Sequence, residues 1–419
     1  MTMRALTMNP SLPAESSTSR SRTATRGGLR CAASAVLLCI ALSAAAADSA
    51  HRHSPSAAAG SVTSLDVYTR GDTLDVLTGE ADAKSQVALW HRQSRDGGRT
   101  WSAPSRVDAG MPSPRRPHRG NDAQIASDGR HLVAAWTTAG TGWLGTGRLV
   151  TAYSADAGKT WARGGSPAGD EREDGQSYAD IAARDGRFYL AWLDSRGGSQ
   201  GVRHASSSDG GTSWKANASL QRGSCECCWN TVLPAPAGAL YVLFRGRSPR
   251  DMGLAVSPDD GASWRAAGAV GAFDWHIDAC PHTGGALAIS GKTGAERLHA
   301  LVWTGKPGAR GLHVFSTRDA AAGWTPAGRL GGEYAQRGDL AARGGELIAV
   351  WDEPVGREGS IFMSRSSDDG ARWSPPMRLS AGGVNAVYPR VAAARRNLLV
   401  LWTEAAPDGP SKLRMVLLK

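Results

Sequence analysis

Ser94-Arg-Asp-Gly-Gly-Arg-Thr-Trp101 recurs in the same frame as Ser154-Ala-Asp-Ala-Gly-Lys-Thr-Trp161, Ser207-Ser-Asp-Gly-Gly-Thr-Ser-Trp214, Ser257-Pro-Asp-Asp-Gly-Ala-Ser-Trp264 and Ser366-Ser-Asp-Asp-Gly-Ala-Arg-Trp373. A sixth, degenerate copy runs from Ser316 to Trp324. The pattern reads as a turn: Ser and Asp hydrogen-bond the local backbone, Gly permits positive φ, and Trp pins the turn onto a sheet. A second repeat runs in step with the first, each copy a short strand, a tight turn and a strand ending in an aromatic residue, as in Ala123 to Trp136. Its other ends are Trp192, Phe244, Trp303, Trp351 and Trp402, with a weaker first copy from Leu65 to Leu77. Successive ends are 59, 56, 52, 59, 48 and 51 residues apart, close to the size of a blade of four short strands. The expected fold is therefore an all-β propeller of seven blades, the last one short because nothing turn-like follows within Leu413 to Lys419.

Outside the repeats, Arg20, Arg22, Arg26 and Arg30 precede an uncharged Ala/Leu-rich run from Cys31 to Ala47, the pattern of a signal peptide over residues 1–47. Residues 48–61 read as a short flexible N-terminal segment, and 62–419 as one propeller domain. The whole chain of 419 residues carries a net charge of +10, but removing the leader takes five Arg and one Glu with it and leaves +6. No Lys/Arg run or stacking module supports nucleic-acid binding. No apolar run after Ala47 approaches the roughly 20 residues that a membrane helix needs. The expectation is an exported protein, periplasmic or extracellular, with no membrane span once the leader is cut. Four cysteines remain after the leader: Cys225, Cys227, Cys228 and Cys280.

The octets resemble the Asp boxes, or BNR repeats, of sialidase-like β-propellers, and the resemblance spans residues 62 to 419. It implies that each octet is a turn between the third and fourth strands of a blade, on the face opposite the functional one, so that the octets are structural. Sialidases are six-bladed, which leaves a six-bladed ring as an alternative in which the first or last unit is shared. An up-and-down blade puts the loop leading into its first strand and the loop after its second strand on one face. That face then collects most of the clustered Arg, Tyr and carboxylate residues.

The resemblance further implies an exo-sialidase type of glycoside hydrolase, in which three Arg hold a carboxylate, a Tyr activated by a Glu attacks, and an Asp serves as acid and base. Carried onto this chain, Tyr388 becomes the nucleophile, Glu353 or Glu404 its base, Asp122 the acid, and Arg119, Arg245, Arg337 and Arg390 the anion clamp. Arg offers a planar fork to a carboxylate, and a Tyr of pKa near 10 needs a carboxylate to take its proton. Two departures stand against it. The Arg-Ile-Pro motif of the family is replaced by Ser61-Val-Thr-Ser-Leu-Asp-Val67, and Tyr388-Pro-Arg-Val391 shares its frame with the plain strand start Tyr178-Ala-Asp-Ile181.

The strongest local anomaly is the pair of loops Cys225-Glu-Cys-Cys-Trp-Asn230 and Trp275-His-Ile-Asp-Ala-Cys-Pro-His282. Both lead into first strands of adjacent blades, so their thiols and imidazoles should converge. One reading is disulfides, for instance between Cys280 and one of Cys225, Cys227 and Cys228, in an oxidising compartment. Neighbouring Cys227 and Cys228 pair poorly with each other, because a vicinal bridge strains the backbone. The other reading is a metal site in which the four thiolates and His282 or His276 hold Cu(I) or Zn(II). His51 and His53 form a further His-x-His. Together these features predict binding of a small molecule, glycan or metal at the loop face, with the hydrolase and an envelope scaffold as the alternatives.

Overall fold

The structure, a computed structural model, describes residues 60–419 apart from 117, 170–173 and 199. The leader, Cys31, Cys39, His51 and His53 lie outside the described residues. Strand segments show why they stack edge to axis. Leu132–Ala139 (LVAAWTTA) is buried along nearly its whole length, as a strand covered on both faces must be, whereas Arg265–Val270 (RAAGAV) is largely exposed and runs at a rim.

Seven antiparallel sheets follow one another along the chain. Blade 1 holds β1 (Ser61–Arg70), β2 (Thr73–Ala81), β3 (Val87–Ser94) and β4 (Ser105–Arg106); blade 2 holds β5 (Gln124–Ser127), β6 (Leu132–Ala139), β7 (Thr146–Ser154) and β8 (Ala162–Arg163). Blade 3 comprises β9 (Gln176–Arg184), β10 (Arg187–Asp194), β11 (Gly201–Ser207) and β12 (Ala218–Arg222), and blade 4 comprises β13 (Thr231–Pro234), β14 (Leu240–Arg245), β15 (Met252–Ser257) and β16 (Arg265–Val270). Blade 5 is β17 (Ala286–Ser290), β18 (Arg297–Thr304), β19 (Gly311–Thr317) and β20 (Thr325–Leu330). Blade 6 is β21 (Gln336–Arg343), β22 (Glu346–Val355), β23 (Glu358–Ser366) and β24 (Met377–Arg378). Blade 7 has three strands, β25 (Asn385–Ala393), β26 (Leu398–Ala405) and β27 (Lys412–Leu418). The ring is seven-bladed, as the repeat count requires, and the six-bladed alternative falls away.

Each octet joins the third strand to the fourth. In the first, Ser94 Oγ donates to Asp96 Oδ1 at 2.8 Å and accepts from Gly98 N at 2.8 Å, while Thr100 N donates to Asp96 Oδ1 at 2.9 Å. These donors hold the Asp96, Asp156, Asp259 and Asp368 carboxyls well below their usual range, the hydrogen bond from the octet's own Thr, Ser or Arg side chain being the largest cause in each. The octet also clasps the preceding blade. A Cβ at Gly158 (φ +81°) would lie 2.2 Å from the ring of His91 in blade 1. Gly98 (φ +91°) packs in the same way on Leu417 and Leu399 of blade 7, which closes the ring. Closure is completed by an apolar layer of Leu65, Leu74, Val76, Leu399 and Leu401 and by the bond from Val62 N to Ser411 O at 2.8 Å.

Candidate functional site

The tryptophans that end the second strands shape the loop face. Trp192, Trp351 and Trp402 each stand opposite a two-residue bulge in the first strand of their blade, formed by Tyr178 and Ala179, Arg337 and Gly338, and Tyr388 and Pro389. In each bulge the first residue is left-handed, with φ of 50° at Tyr178, 48° at Arg337 and 56° at Tyr388. Such a conformation costs about 1–3 kcal/mol for a non-glycine residue and persists only where the surroundings impose it. Three large polar side chains are thus re-aimed by one device.

Two residues further on, Asp180, Asp339 and Arg390 lie along the central channel, with Asp66 from β1. Asp66, Asp180 and Asp339 each latch the next blade by accepting from Ile125 N at 2.8 Å, Val232 N at 2.7 Å and Val391 N at 3.0 Å. Arg390 faces Asp66 at 3.5 Å. Burial pushes Asp66 up to about 6 and Asp180 up to about 7, and raises Asp339 as well.

Above the channel, the Tyr388 ring is sandwiched by guanidiniums, Arg119 at 4.4 Å and Arg337 at 4.7 Å. Arg119 donates to Asp122 at 3.0 Å and to Thr403 at 2.5 Å, and Arg337 donates to Asp352 at 3.0 Å. Asp122 also accepts from Gly120 N at 2.9 Å and Leu65 N at 3.2 Å. Arg119, Asp122, Trp229, Arg337, Tyr388 and Arg390 surround a cavity of ≈ 30 Å³. That is about one water's share of liquid volume, far below the roughly 300 Å³ of a small-molecule pocket.

The two glutamates proposed as base are engaged elsewhere. Glu353 accepts from Trp351 Nε1 at 3.2 Å and Gly332 N at 2.9 Å, and Glu404 accepts from Trp402 Nε1 at 2.9 Å and from Arg414. Asp194 accepts from Trp192 Nε1 at 3.0 Å in the same way, so a carboxylate two residues after the tryptophan caps the indole. The Tyr388 hydroxyl faces the Arg119 carbonyl at 3.4 Å, not a carboxylate. Arg245 is buried and spans backbone, donating to Thr283 O at 2.9 Å, Trp303 O at 2.9 Å and the Arg250 carbonyl. Of the four clamp arginines, the structure gathers Arg119, Arg337 and Arg390, and leaves Arg245 as a strut between blades 4 and 5.

The cysteine loops do converge. Cys225 Sγ lies 3.1 Å from Cys228 Sγ and 3.5 Å from Cys227 Sγ, and Cys227 and Cys228 are 3.9 Å apart. All three are buried, Cys280 is half-exposed, and the four are unbridged thiols. No disulfide stands at bonding distance among the described residues. Cys227, Cys280 and His282 form a second group whose ligand atoms lie within 4.8 Å of one another, as do those of Cys225, Cys227 and Cys228. His276 stands apart, its ring nitrogens meeting Asp274 at 2.8 Å and Ser248 at 3.2 Å.

The loops are held from below. Cys225 N donates to Arg245 O at 2.9 Å, Asn230 Nδ2 donates to Tyr178 O at 2.9 Å, and Asp251 accepts from Asp274 N at 2.7 Å and Trp275 N at 3.2 Å. Arg250 reaches Cys225 Sγ at 3.0 Å and Glu226 at 3.5 Å. Hydrogen bonds from Cys227 and Cys228 hold the Cys225 thiol far below its usual range, and the Arg250 charge adds to them. Bonds with Cys225, Cys228 and Cys280 push Cys227 up. One thiolate is therefore favoured even without an ion, and a metal would complete the deprotonation. His118 stacks on His282 at 4.5 Å, and burial lowers its pKa, which favours the neutral imidazole. His118 and Arg250 escaped the reading of the sequence, which took Tyr178 only as a plain strand start; for His118 the only signal was its place in the loop leading into blade 2.

No protein-family profile matches this chain, and no curated protein matches it. Among solved structures, an ulvan lyase is similar at 11% identity and TM-score 0.59, over 87% of this chain and 96% of that one. A protein of unknown function from Dyadobacter fermentans matches at 13% identity and TM-score 0.51, over 86% of this chain and 94% of that one. A Trypanosoma rangeli sialidase in complex with difluorosialic acid matches at 14% identity and TM-score 0.48, over 76% of this chain and 58% of that one. At such identities a likeness speaks of fold alone, and the fold is a seven-bladed β-propeller.

Proposed function

We propose that this chain is an exported soft-metal-binding protein, periplasmic or extracellular, whose site is formed by Cys225, Cys227, Cys228, Cys280 and His282 on the loop face. The observation that carries this reading is the convergence of four unbridged sulfurs and an imidazole from two separate loops, with ligand atoms at coordination spacing. Thiolate donors select Cu(I) or Zn(II) over hard cations. Export rests on the Arg-flanked apolar stretch before residue 48.

Purified full-length mature chain, assayed for metal content and free thiols in one sample, tests the reading. The expected result is bound copper or zinc with thiols masked until a chelator is added, and loss of the metal in Cys227→Ser/Cys228→Ser. Folded protein that takes up neither Cu(I) nor Zn(II) after anaerobic reduction would overturn it. The hydrolase reading is less well supported. Glycan-acting neighbours share the fold, but the cavity among the Arg and Tyr side chains here has only ≈ 30 Å³, and the Tyr388 hydroxyl meets the Arg119 carbonyl rather than a carboxylate. A fluorogenic sialoside is expected to remain intact from about pH 4 to 8, where carboxylate and His catalysts titrate.

A further inference from the structure

The donor atoms fall into two triads that share one sulfur. Cys225, Cys227 and Cys228 form the first, and Cys227, Cys280 and His282 the second, each gathered within 4.8 Å, whereas the five do not merge into one group at that span. A single tetrahedral ion with metal–sulfur bonds of ~2.3 Å needs four donors ~3.8 Å from one another. The first triad has sulfur separations of 3.1, 3.5 and 3.9 Å, short enough for three sulfurs to share one ion, and it is the split into two triads, not the edge length, that separates two ions from one. We infer that the site holds two Cu(I) ions, one in each triad, bridged by the Cys227 thiolate. This rests on the soft-metal reading and specifies its metal and its stoichiometry.

Charge points the same way. Four thiolates are met by two buried guanidiniums: Arg250 lies 3.0 Å from Cys225 Sγ, and Arg245 acts on Cys228 through its charge. Glu226, which Arg250 also meets at 3.5 Å, adds one negative charge that Arg247 matches at 3.4 Å, so the pair leaves the count unchanged. Two monovalent ions then leave the buried cluster neutral. Two divalent ions would leave a net charge of +2 on a cluster whose inner triad is fully buried, an arrangement that proteins avoid. The imidazole of His282 adds a neutral donor. Neutrality alone would also admit one Zn(II), but the split into triads does not favour it.

Burial orders the two ions. Cys225, Cys227 and Cys228 are all at most 1% exposed, while Cys280 and His282 are half-buried, so the second triad is the solvent side of the cluster. An ion enters there and the inner one is reached through Cys227.

The test is anaerobic titration of the reduced full-length mature chain with Cu(I) against a chromophoric Cu(I) chelator, with folding followed by circular dichroism. Wild type should retain two Cu(I) per chain, His282→Ala and Cys280→Ser one each, and X-ray absorption of the doubly loaded protein should show metal–metal scattering. His282 and Cys280 are half-buried, so these variants should fold. One Cu(I) in wild type, unchanged in His282→Ala, would overturn the two-ion site and leave the soft-metal reading standing. Two in wild type and two in both variants would overturn the assignment of the second ion. No retained Cu(I) and no retained Zn(II) would remove the soft-metal reading itself.

Discussion

Arg250→Met removes the one guanidinium that touches the sulfur cluster while keeping most of its volume. Arg250 Nη1 stands 3.0 Å from Cys225 Sγ, and both side chains are buried. At an effective dielectric of 20 the bare Coulomb energy at that distance is about 5.5 kcal/mol, an upper bound. A single adjacent charge shifts a pKa by about 1–3 units in practice, equivalent to about 1.4–4 kcal/mol. The Cys225 thiol should rise by that amount in the variant, because the charged form loses its partner. Only the part of that rise that carries the thiol above the ambient pH adds proton competition, each such unit weakening the apparent Cu(I) affinity about tenfold, so the variant should bind more weakly near pH 7 by up to about 1000-fold. The deficit should shrink as pH rises toward 9, since the proton competes less. Competition titrations at several pH values, with circular dichroism as the check on folding, measure this. Arg247→Met is the control: its side chain is 61% exposed and pairs only with Glu226 at 3.4 Å, so a change below about twofold is expected. Folded Arg250→Met with wild-type affinity at every pH would refute the claim that Arg250 stabilises a thiolate ligand.

Two further predictions concern the scaffold. Gly158→Ala places a Cβ 2.2 Å from the His91 ring at φ +81°, and should lower stability by about 2–4 kcal/mol, read as a drop in melting temperature. Asp66 and Asp180 have folded-state pKa values near 6 and 7, above the ordinary 3.8, so the neutral carboxyls are favoured in the fold. Their contribution to stability is complete below about pH 4 and is lost as pH rises through 6 to 7. Melting temperature should therefore fall between about pH 4 and 7, and Asp66→Asn with Asp180→Asn should flatten that slope. The octet carboxyls shift the opposite way, and their contribution is lost only as pH falls toward 2.

The blade frame was legible because its signals are local and repeated. Ser94 to Trp101 satisfies its own turn, and an octet's glycine packs in the way its neighbours do. The pairing of Tyr178 and Tyr388 at one frame position was legible too, but its consequence was not. The bulge opposite Trp192 and Trp402 re-aims both side chains, and nothing in Tyr-Ala-Asp or Tyr-Pro-Arg announces a left-handed residue. For Glu353 and Glu404 the sequence offers a nearer partner than Tyr388, the indole two residues upstream, and each accepts from it. That Trp-x-carboxylate spacing is a local signal. His118 and Arg250 were hidden for the opposite reason. Their partners His282 and Cys225 lie far off in sequence, and only the closed ring brings them into contact.

The two loops that meet at the sulfurs differ in how they are built, and this bears on how the site works. Residues 223–230 make a short connection pinned at Cys225 N and Asn230, so the inner triad is positioned by the scaffold. Residues 271–285 connect blades 4 and 5 with fifteen residues, against five at 331–335 between blades 5 and 6. Lengthening a loop costs little entropy, which leaves room for a segment that folds back over the cluster. That segment contains left-handed Ala272, Asp274 and His282, and its tip, His276 to Ala279, is exposed and tied down mainly through Asp251 and Arg250. Strain of this kind is offset when Cys280 and His282 gain a shared ion. Cu(I) loading should therefore slow amide hydrogen exchange at 276–282 by at least about tenfold, equivalent to about 1.4 kcal/mol of local stabilisation, with little change at 225–228. Equal protection of both loops would mean that the scaffold holds neither triad in advance. No protection at 276–282 would mean that Cys280 and His282 do not close on the metal at all.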